Sequence, residues 1–106
     1  MERTAEAEHL SAGPLEIRPA EHAACIDGRT LPLTRRELQV LTVLVRHEEH
    51  VLSREQIYEE AWGGDLAAAD RSVDVYVSRL RRKLGEAEPR QMIHTHSGIG
   101  YRFSFG

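Results

Sequence analysis

The stretch Arg71-Ser-Val-Asp-Val-Tyr-Val-Ser-Arg-Leu-Arg-Arg-Lys-Leu84 has the pattern of one helix with two different faces. At about 100° per residue, one narrow stripe of this helix is entirely apolar. The stripe consists of Val73, Val77, Leu80 and Leu84. The opposite face consists of Arg71, Val75, Ser78 and Arg82, with Asp74 and Arg79 at its edges. We therefore expect the apolar stripe to pack on a hydrophobic core and the basic face to meet solvent or a partner.

The length and composition are those of one small globular domain. The chain has 106 residues, of which 41% are hydrophobic and 29% charged, and its single cysteine is Cys25. One cysteine excludes an internal disulfide and a CxxC metal framework. No apolar run approaches the roughly 18 residues of a membrane span, and the N-terminus lacks a signal-peptide pattern. We expect a cytoplasmic domain without a membrane partner or a cofactor.

The charge is unevenly distributed along the chain. The net charge is −3, which taken alone argues against a nucleic-acid partner. Residues 1–70 contain 7 Lys/Arg and 14 Asp/Glu, whereas residues 71–106 contain 7 and 3, a net charge of +4. A basic block is as often a solvated face as a binding site, so the geometry of its residues has to decide between the two.

The N-terminal third predicts a tail followed by a small sheet. Residues 1–12 contain three glutamates and no apolar periodicity, and we expect a linker or tail there, before a domain over residues 13–106. Asp27-Gly28 is a hairpin-turn signal, and Pro32 restricts the strand around it to an edge or a strand end. The predicted strands, which form an antiparallel N-terminal β-sheet, are residues 15–17, 24–26 and 29–33.

Two capping boxes mark the starts of two helices. In Thr34-Arg-Arg-Glu37 and in Ser53-Arg-Glu-Gln56, the hydroxyl and the side chain three residues later can satisfy the free amides of a first helical turn. The first helix has a broad apolar face and should end near residues 47–50, and the second should run to about Trp62. We expect Gly63-Gly64 to stop the second helix.

The third helix is the stretch quoted first, with Asp70 as its predicted N-cap and Gly85 as its C′ glycine. After it, residues 92–97 and 101–105 alternate as two strands around Gly98-Ile-Gly100. The element order is an N-terminal antiparallel β-sheet, three helices and a C-terminal β-hairpin wing. We therefore predict an α+β fold of the winged helix-turn-helix type.

In this fold the third helix is the element that enters the major groove of DNA. There Arg79 can donate to guanine, Asp74 can accept from cytosine and Val75 can pack on a thymine methyl group. Side chains expected to neutralise phosphates are Arg71, Arg81, Arg82 and Lys83, and Arg54 at the amide-rich start of the second helix. The geometry thus favours double-stranded DNA as the partner over a merely solvated basic face.

Six sequence blocks at compatible spacing carry a resemblance to a known family. The blocks are Leu33-Thr-x-x-Glu37, Val51-Leu-Ser-Arg-Glu-Gln56, Ala61-Trp-Gly63, Arg71-Ser-Val-Asp-Val75, Arg79-Leu-Arg-Arg-Lys-Leu84 and Thr95-x-x-Gly-x-Gly-Tyr-Arg102. With them, residues 13–106 resemble the OmpR/PhoB-type winged helix-turn-helix effector domain of two-component response regulators.

The resemblance implies a role for each matching residue. Base-reading residues would be Asp74, Val75 and Arg79. Residues near the DNA backbone would be Arg54, Trp62, Arg71, Ser72, Tyr76, Ser78, Arg81 and Arg82. Wing residues in the adjacent minor groove would be Thr95, His96 and Ser97. A loop that contacts RNA polymerase would contain Gly63, Gly64, Asp65 and Leu66.

The resemblance also implies the wider setting of the domain. It would be the output domain of a phosphorelay response regulator that regulates transcription initiation, monomeric alone and dimeric on direct-repeat DNA half-sites. The N-terminal strands would face a receiver domain. Since the chain contains no receiver pattern, we expect a longer regulator or the same module fused to a non-receiver domain.

Three positions depart from the usual family pattern. Tyr76 stands where histidine is frequent, Ser78 where arginine is frequent, and Ser97 where the wing usually carries an arginine. Arginine is the side chain that a narrow minor groove attracts best. We therefore expect binding to depend more on the recognition helix than on the wing.

Other interpretations remain open at this point. Trp62 can equally be a core aromatic residue. Val75 can be a lone exposed valine, and the first-turn arginines Arg35-Arg36 can be solvated. His94 and His96 share one strand face, so a metal site with Cys25 or His22 is a minor alternative. The whole domain can serve as a protein-interaction module. No nucleophile with a partnered base, glycine-rich phosphate loop or metal set indicates an enzyme.

Overall fold

The computed structural model describes residues 8–63 and 69–105, except for the side chains of residues 69–72. A winged helix-turn-helix domain with two small antiparallel sheets is formed, as expected. Its elements, in chain order, are β1 Leu10–Ala12, β2 Leu15–Arg18, β3 Ala23–Ile26, β4 Arg29–Thr30, α1 Arg35–Arg46, β5 Val51–Leu52, α2 Arg54–Ala61, α3 Ala69–Ala87, β6 Ile93–His96 and β7 Gly100–Phe103, with a 3₁₀ turn at Pro19–Glu21.

The N-terminal sheet has the strand order β1-β2-β3-β4. Its first strand was missed: within the predicted tail, Leu10 pairs with Ile17 and Ala12 pairs with Leu15. Three residues are too few to show a period of two, and β1 is stabilised by pairing with β2 rather than by its own sequence. The fold therefore begins at least five residues before the predicted first strand.

The hairpin between β3 and β4 forms as predicted. Asp27 and Gly28 have φ angles of 51° and 83°, the left-handed values that a tight two-residue turn needs. Ile26 pairs with Arg29 across it, and β4 ends at Thr30. The strand is shorter than the predicted residues 29–33 because Pro32 has no amide for the ladder. β4 is an edge strand, as expected.

Both predicted capping boxes are confirmed. The Thr34 hydroxyl accepts from the Glu37 amide at 3.2 Å, and the Glu37 carboxylate accepts from the Thr34 amide at 2.8 Å. Ser53 and Gln56 make the same reciprocal pair at 3.1 and 2.8 Å. α1 is the central helix, because its middle is almost entirely buried. α2 ends at Ala61, next to the predicted end.

Helix α3 is longer at both ends than predicted. It begins at Ala69, so Asp70 lies inside the helix and is not its N-cap, and it continues through Gly85 to Ala87. Gly85 is not among the residues with positive φ. A glycine inside a helix costs only about 1 kcal/mol relative to alanine, and the helix-forming Glu86 and Ala87 follow it.

The apolar stripe of α3 is buried as expected. The exposed fractions of Val73, Val77, Leu80 and Leu84 are 0, 1, 0 and 3%. These side chains join one hydrophobic core with α1 and both sheets. α3 therefore has a fixed orientation, which determines the side chains that it presents outward.

Within residues 8–63 and 69–105, no helix is long and apolar enough to cross a lipid bilayer.

The C-terminal sheet has the strand order β5-β7-β6. The predicted wing hairpin is confirmed with narrower bounds, and the two-residue strand β5 was missed. β5 approaches β7 so closely that a Cβ atom on Gly100 would lie 1.8 Å from the Leu52 carbonyl oxygen. Gly100 is therefore required for this pairing.

Candidate nucleic-acid interface

The outward face of α3 carries exposed basic, polar and apolar side chains together. Val75 is 43% exposed, although most aliphatic side chains of this domain are buried. Ser78, Arg79 and Arg82 are exposed on the same helix. The side chains of Arg71 and Ser72 lie outside the described residues. Opposite the buried stripe, α3 thus offers cations and one apolar contact to a partner.

Asp74 lies at the centre of a hydrogen-bonded cluster. Its Oδ1 accepts from Arg54 Nε at 2.7 Å and from the Tyr101 hydroxyl at 2.5 Å. Burial would raise the pKa of the Asp74 carboxyl, but the hydrogen bonds from Tyr101 and Arg54 outweigh it and hold the pKa below 3.8. The pKa of Tyr101 is raised, mainly by burial and also by the neighbouring Asp74 carboxylate. The cluster joins α2, α3 and β7.

In the free domain, the partners of Asp74 and Arg54 are each other and Tyr101, whereas contacts with DNA were predicted for both residues. Arg54 was predicted to face phosphate, and its guanidinium is oriented by Asp74 and lies 5.7 Å from the centre of the Tyr101 ring. No local sequence pattern indicates this arrangement, because Asp74 lies 20 and 27 residues from its partners. Base reading by Asp74 stays a prediction.

Four side chains lie in a row from α1, past the end of α2, to α3, and we call them the aromatic ladder: Arg36, Trp62, Tyr76 and Arg79. The Arg36 guanidinium lies 5.2 Å from the Trp62 ring centre, the Trp62 and Tyr76 rings are 5.5 Å apart, and Arg79 lies 5.4 Å from the Tyr76 ring. Arg36 was expected to be solvated in isolation; it is exposed, but it packs on Trp62.

Trp62 combines packing with a polar contact inside the domain. Its Nε1 donates to Gln39 Oε1 at 2.9 Å, and its ring meets Tyr58 edge to face at 5.1 Å. The half-buried ring supports the core-aromatic interpretation. In the free domain the indole N–H is directed to Gln39, whereas phosphate was expected from the resemblance.

Arg81 ties α3 to the wing. Its Nε and Nη2 donate to the Ile93 carbonyl oxygen at 3.1 and 3.0 Å, and Nη2 donates to Thr95 Oγ1 at 2.6 Å. The guanidinium also lies 5.7 Å from the Tyr101 ring centre. A phosphate contact was expected here, but in the free domain these donors position β6.

Lys83 was expected to neutralise a phosphate, but in the free domain it is paired within the fold. Its Nζ donates to Glu37 Oε1 at 2.7 Å and to the Pro32 carbonyl oxygen at 2.9 Å, and the lysine side chain is only 19% exposed. Glu37 is 1% exposed. Burial would raise the pKa of Glu37, but Lys83 and Thr34 outweigh it and lower the pKa below 4.5. Lys83 neutralises a buried carboxylate.

The wing residues differ in how they are held. Thr95 accepts from Arg81, and His96 Nε2 accepts from Arg102 Nε at 3.1 Å. Ser97 is exposed in the turn, and Ile99 beside it is 61% exposed. The sequence did not single out Ile99. The wing of this chain thus presents small polar and apolar groups at its tip.

Only some of the remaining predicted site residues lie within the described part of the chain. Gly63 lies two residues after α2 with φ 70°, and its amide donates to the Glu59 carbonyl oxygen at 2.9 Å. Gly64, Asp65 and Leu66 lie outside the described residues. His94 and His96 are on β6, whereas Cys25 is on β3 of the other sheet. Among the residues described here, no group of three His, Cys, Asp or Glu side chains is placed to hold a metal ion.

Comparison with known proteins relates these features to regulators of transcription. The family model "Transcriptional regulatory protein, C terminal" matches residues 28–103. The transcriptional regulatory protein PrrA of Mycobacterium tuberculosis is 40% identical over 98 residues, which are 92% of this chain and 42% of PrrA. The chain therefore spans less than half the length of the curated relatives it matches.

Two solved structures are similar in fold. The DNA-binding domain of CpxR from E. coli aligns with a TM-score of 0.80 and 34% identity, covering 92% of this chain and 96% of that one. The Klebsiella pneumoniae RstA DNA-binding domain, solved in complex with the RstA box, aligns with a TM-score of 0.78 and 30% identity, covering 92% and 97%.

Proposed function

This chain belongs to the family of transcriptional regulatory protein C-terminal domains, the OmpR/PhoB-type effector domains, and we propose that it binds specific double-stranded DNA sequences and regulates transcription initiation. One observation carries the proposal. The outward face of α3 exposes Val75, Arg79 and Arg82, while its opposite face is fixed in the core.

In the proposed complex, α3 lies in the major groove. Arg79 donates two hydrogen bonds to a guanine, and Val75 packs on a thymine methyl group. Asp74 either accepts from a cytosine amino group or keeps its bonds to Arg54 and Tyr101 and acts through them. Its existing partners support the second role.

Contacts to phosphate give affinity and register without reading sequence. We assign them to Arg82, Ser78, Arg54 and Trp62, and from the resemblance alone to Tyr76, Arg71 and Ser72. Arg81 is assigned to the wing instead. Its bonds to β6 fix the distance between the recognition helix and the hairpin, and they support a wing that follows α3 into the adjacent minor groove.

The wider setting is also part of the proposal. We assign the chain to the output domain of a cytoplasmic response regulator, and its similarity over 92% of its length to the transcriptional regulatory protein PrrA supports the regulatory role. A receiver domain then supplies the phosphorelay signal, and two copies occupy direct-repeat half-sites. Residues 63–66 follow α2 in the chain and are the proposed contact with RNA polymerase.

A mobility-shift assay with a salt series tests the proposal, using a site selected from a random DNA pool. The logarithm of affinity should fall linearly with the logarithm of salt concentration, with a slope of about −0.9 per neutralised phosphate. Arg29→Ala, which removes an exposed arginine from the N-terminal sheet, is the matched control and should leave the slope unchanged. Salt-independent binding, or selection that enriches no sequence, would contradict the proposal.

A further inference from the structure

We propose that Tyr76 is a positioning residue that sets the sequence specificity of Arg79. This inference rests on the proposed function, since it concerns how α3 reads a base. By resemblance alone, Tyr76 is a phosphate contact, which affects all sequences alike. The aromatic ladder gives it a different role.

The Tyr76 ring is held in place by its contact with Trp62 in the aromatic ladder. Tyr76 meets Trp62 at 5.5 Å and an interplanar angle of 67°. Trp62 is itself fixed by the 2.9 Å hydrogen bond to Gln39 on α1 and by the edge contact with Tyr58 on α2. Three helices therefore fix the position of one ring on the surface of α3.

Arg79 rests on that fixed ring. Its guanidinium carbon lies 5.4 Å from the ring centre, within the roughly 6 Å range of a cation–π interaction. An exposed arginine has many rotamers, and ordering it on binding reduces affinity. A ring that orders Arg79 before binding removes part of that cost and aims both donors of the planar guanidinium.

Tyrosine suits this position better than a basic residue. A protonated imidazole at this position would repel the Arg79 guanidinium. The tyrosine ring offers a neutral π face instead. Since ordering helps only contacts that need orientation, the benefit should appear on the cognate site and not on random DNA, where charge alone binds.

The first measurement uses the free domain and needs no DNA. We would measure nitrogen-15 relaxation at the arginine Nε positions, with Arg82 as the exposed reference on the same helix. Arg79 should be more ordered than Arg82 in the wild type and in Tyr76→Phe, and it should match Arg82 in Tyr76→Leu. Equal disorder of Arg79 and Arg82 in the wild type would overturn the proposal.

The second measurement is a double-mutant cycle on DNA, with a selected site and a scrambled duplex of equal length. Tyr76→Leu should weaken cognate binding by about two- to fivefold, the size expected of an exposed cation–π contact, and leave scrambled binding unchanged. Tyr76→Phe should behave as wild type. In the Arg79→Ala background, Tyr76→Leu should have no further effect.

Three results would overturn the inference. One is an equal loss on both duplexes, another is a loss in Tyr76→Phe as large as in Tyr76→Leu, and the third is a loss that persists without Arg79. The first two assign the hydroxyl to a phosphate. Thermal unfolding of each variant controls for folding, and if Tyr76→Leu unfolds early, Tyr76→Met supplies the ring-free variant. If the wild type bound no DNA, the proposed function would fail, while the relaxation data would still test the ladder.

Discussion

Arg81 and Arg82 are adjacent and carry the same charge, but α3 gives them opposite surroundings. Arg81 donates to the Ile93 carbonyl oxygen and to Thr95 on the wing, and Lys83 bonds to buried Glu37. We call Arg81 and Lys83 the inward pair. Arg79 and Arg82 are exposed, and we call them the outward pair. The contrast teaches that a run of basic residues on a helix is not one surface: the inward pair should control stability and the outward pair binding.

The largest effect on stability is expected on the buried face of α3, which holds both pairs in place. Leu80 is 0% exposed in the core beneath α3. Leu80→Ala should lower the free energy of unfolding by about 2–5 kcal/mol, because it removes buried methyl groups and leaves a cavity. Urea denaturation measures the loss, with the exposed Val75→Ala as the control. A loss as small as that of the control would mean that α3 does not rest on this side chain.

The next largest effect separates the inward pair from the outward pair. Lys83→Met keeps most of the aliphatic stem but leaves the Glu37 carboxylate buried without its cation. The free energy of unfolding should fall by about 1–3 kcal/mol, the cost of an unsatisfied buried group. The affinity of the folded fraction for DNA should not change. Weaker DNA binding at unchanged stability would place Lys83 on the outward side.

The same ion pair makes a pH prediction whose sign follows from the pKa of Glu37. That pKa is lowered from 4.5 in the folded domain, so the contribution to stability is present above pH 4.5 and is lost as the pH falls through the folded value. Glu37→Gln removes this acid-sensitive contribution. The free energy of unfolding should therefore depend less steeply on pH between pH 6 and pH 3 in the variant than in the wild type. Identical pH dependence in both proteins would contradict the pairing.

Local patterns made much of the fold predictable. Each capping box lies within four residues, and the apolar stripe of α3 repeats every turn, so both can be found without knowing the rest of the chain. The partners of the inward pair could not be found in this way. Glu37 is 46 residues from Lys83, and the Arg81 acceptors are 12 and 14 residues away on a strand. Such pairs depend on how the elements pack.

The missed strands and helix ends have the same physical origin. β1 and β5 are three and two residues long and exist through their pairing with β2 and β7. Gly85 resembled a helix end because glycine favours that position, but the packing of α3 continues past it. In the candidate site, Arg79 and Arg81 differ in how far their side chains are exposed to solvent. This difference can be seen only in the folded chain.

The outward pair predicts changes in binding without changes in stability. Arg79→Ala should cost about 1–3 kcal/mol on the selected site and little on random DNA, because it removes the proposed bidentate contact to one base. The unfolding midpoint should remain that of the wild type, since the side chain is exposed. Titration of both duplexes by fluorescence anisotropy provides the comparison. A similar loss on each duplex would reassign Arg79 to the phosphate backbone.

The smallest effect is expected at Arg82, and it tests the contrast between neighbours most directly. Arg82 is exposed, so a phosphate contact from it is screened by solvent and salt and should contribute less than about 1 kcal/mol. Arg82→Ala should weaken cognate and random DNA equally and flatten the salt slope by about one unit. Arg81→Ala should instead release the wing, so its loss should fall mainly on the cognate site, with little change in the slope. If the two variants had the same salt slope, both arginines would neutralise phosphate in the complex, and the bonds from Arg81 to β6 would be a feature of the free domain alone.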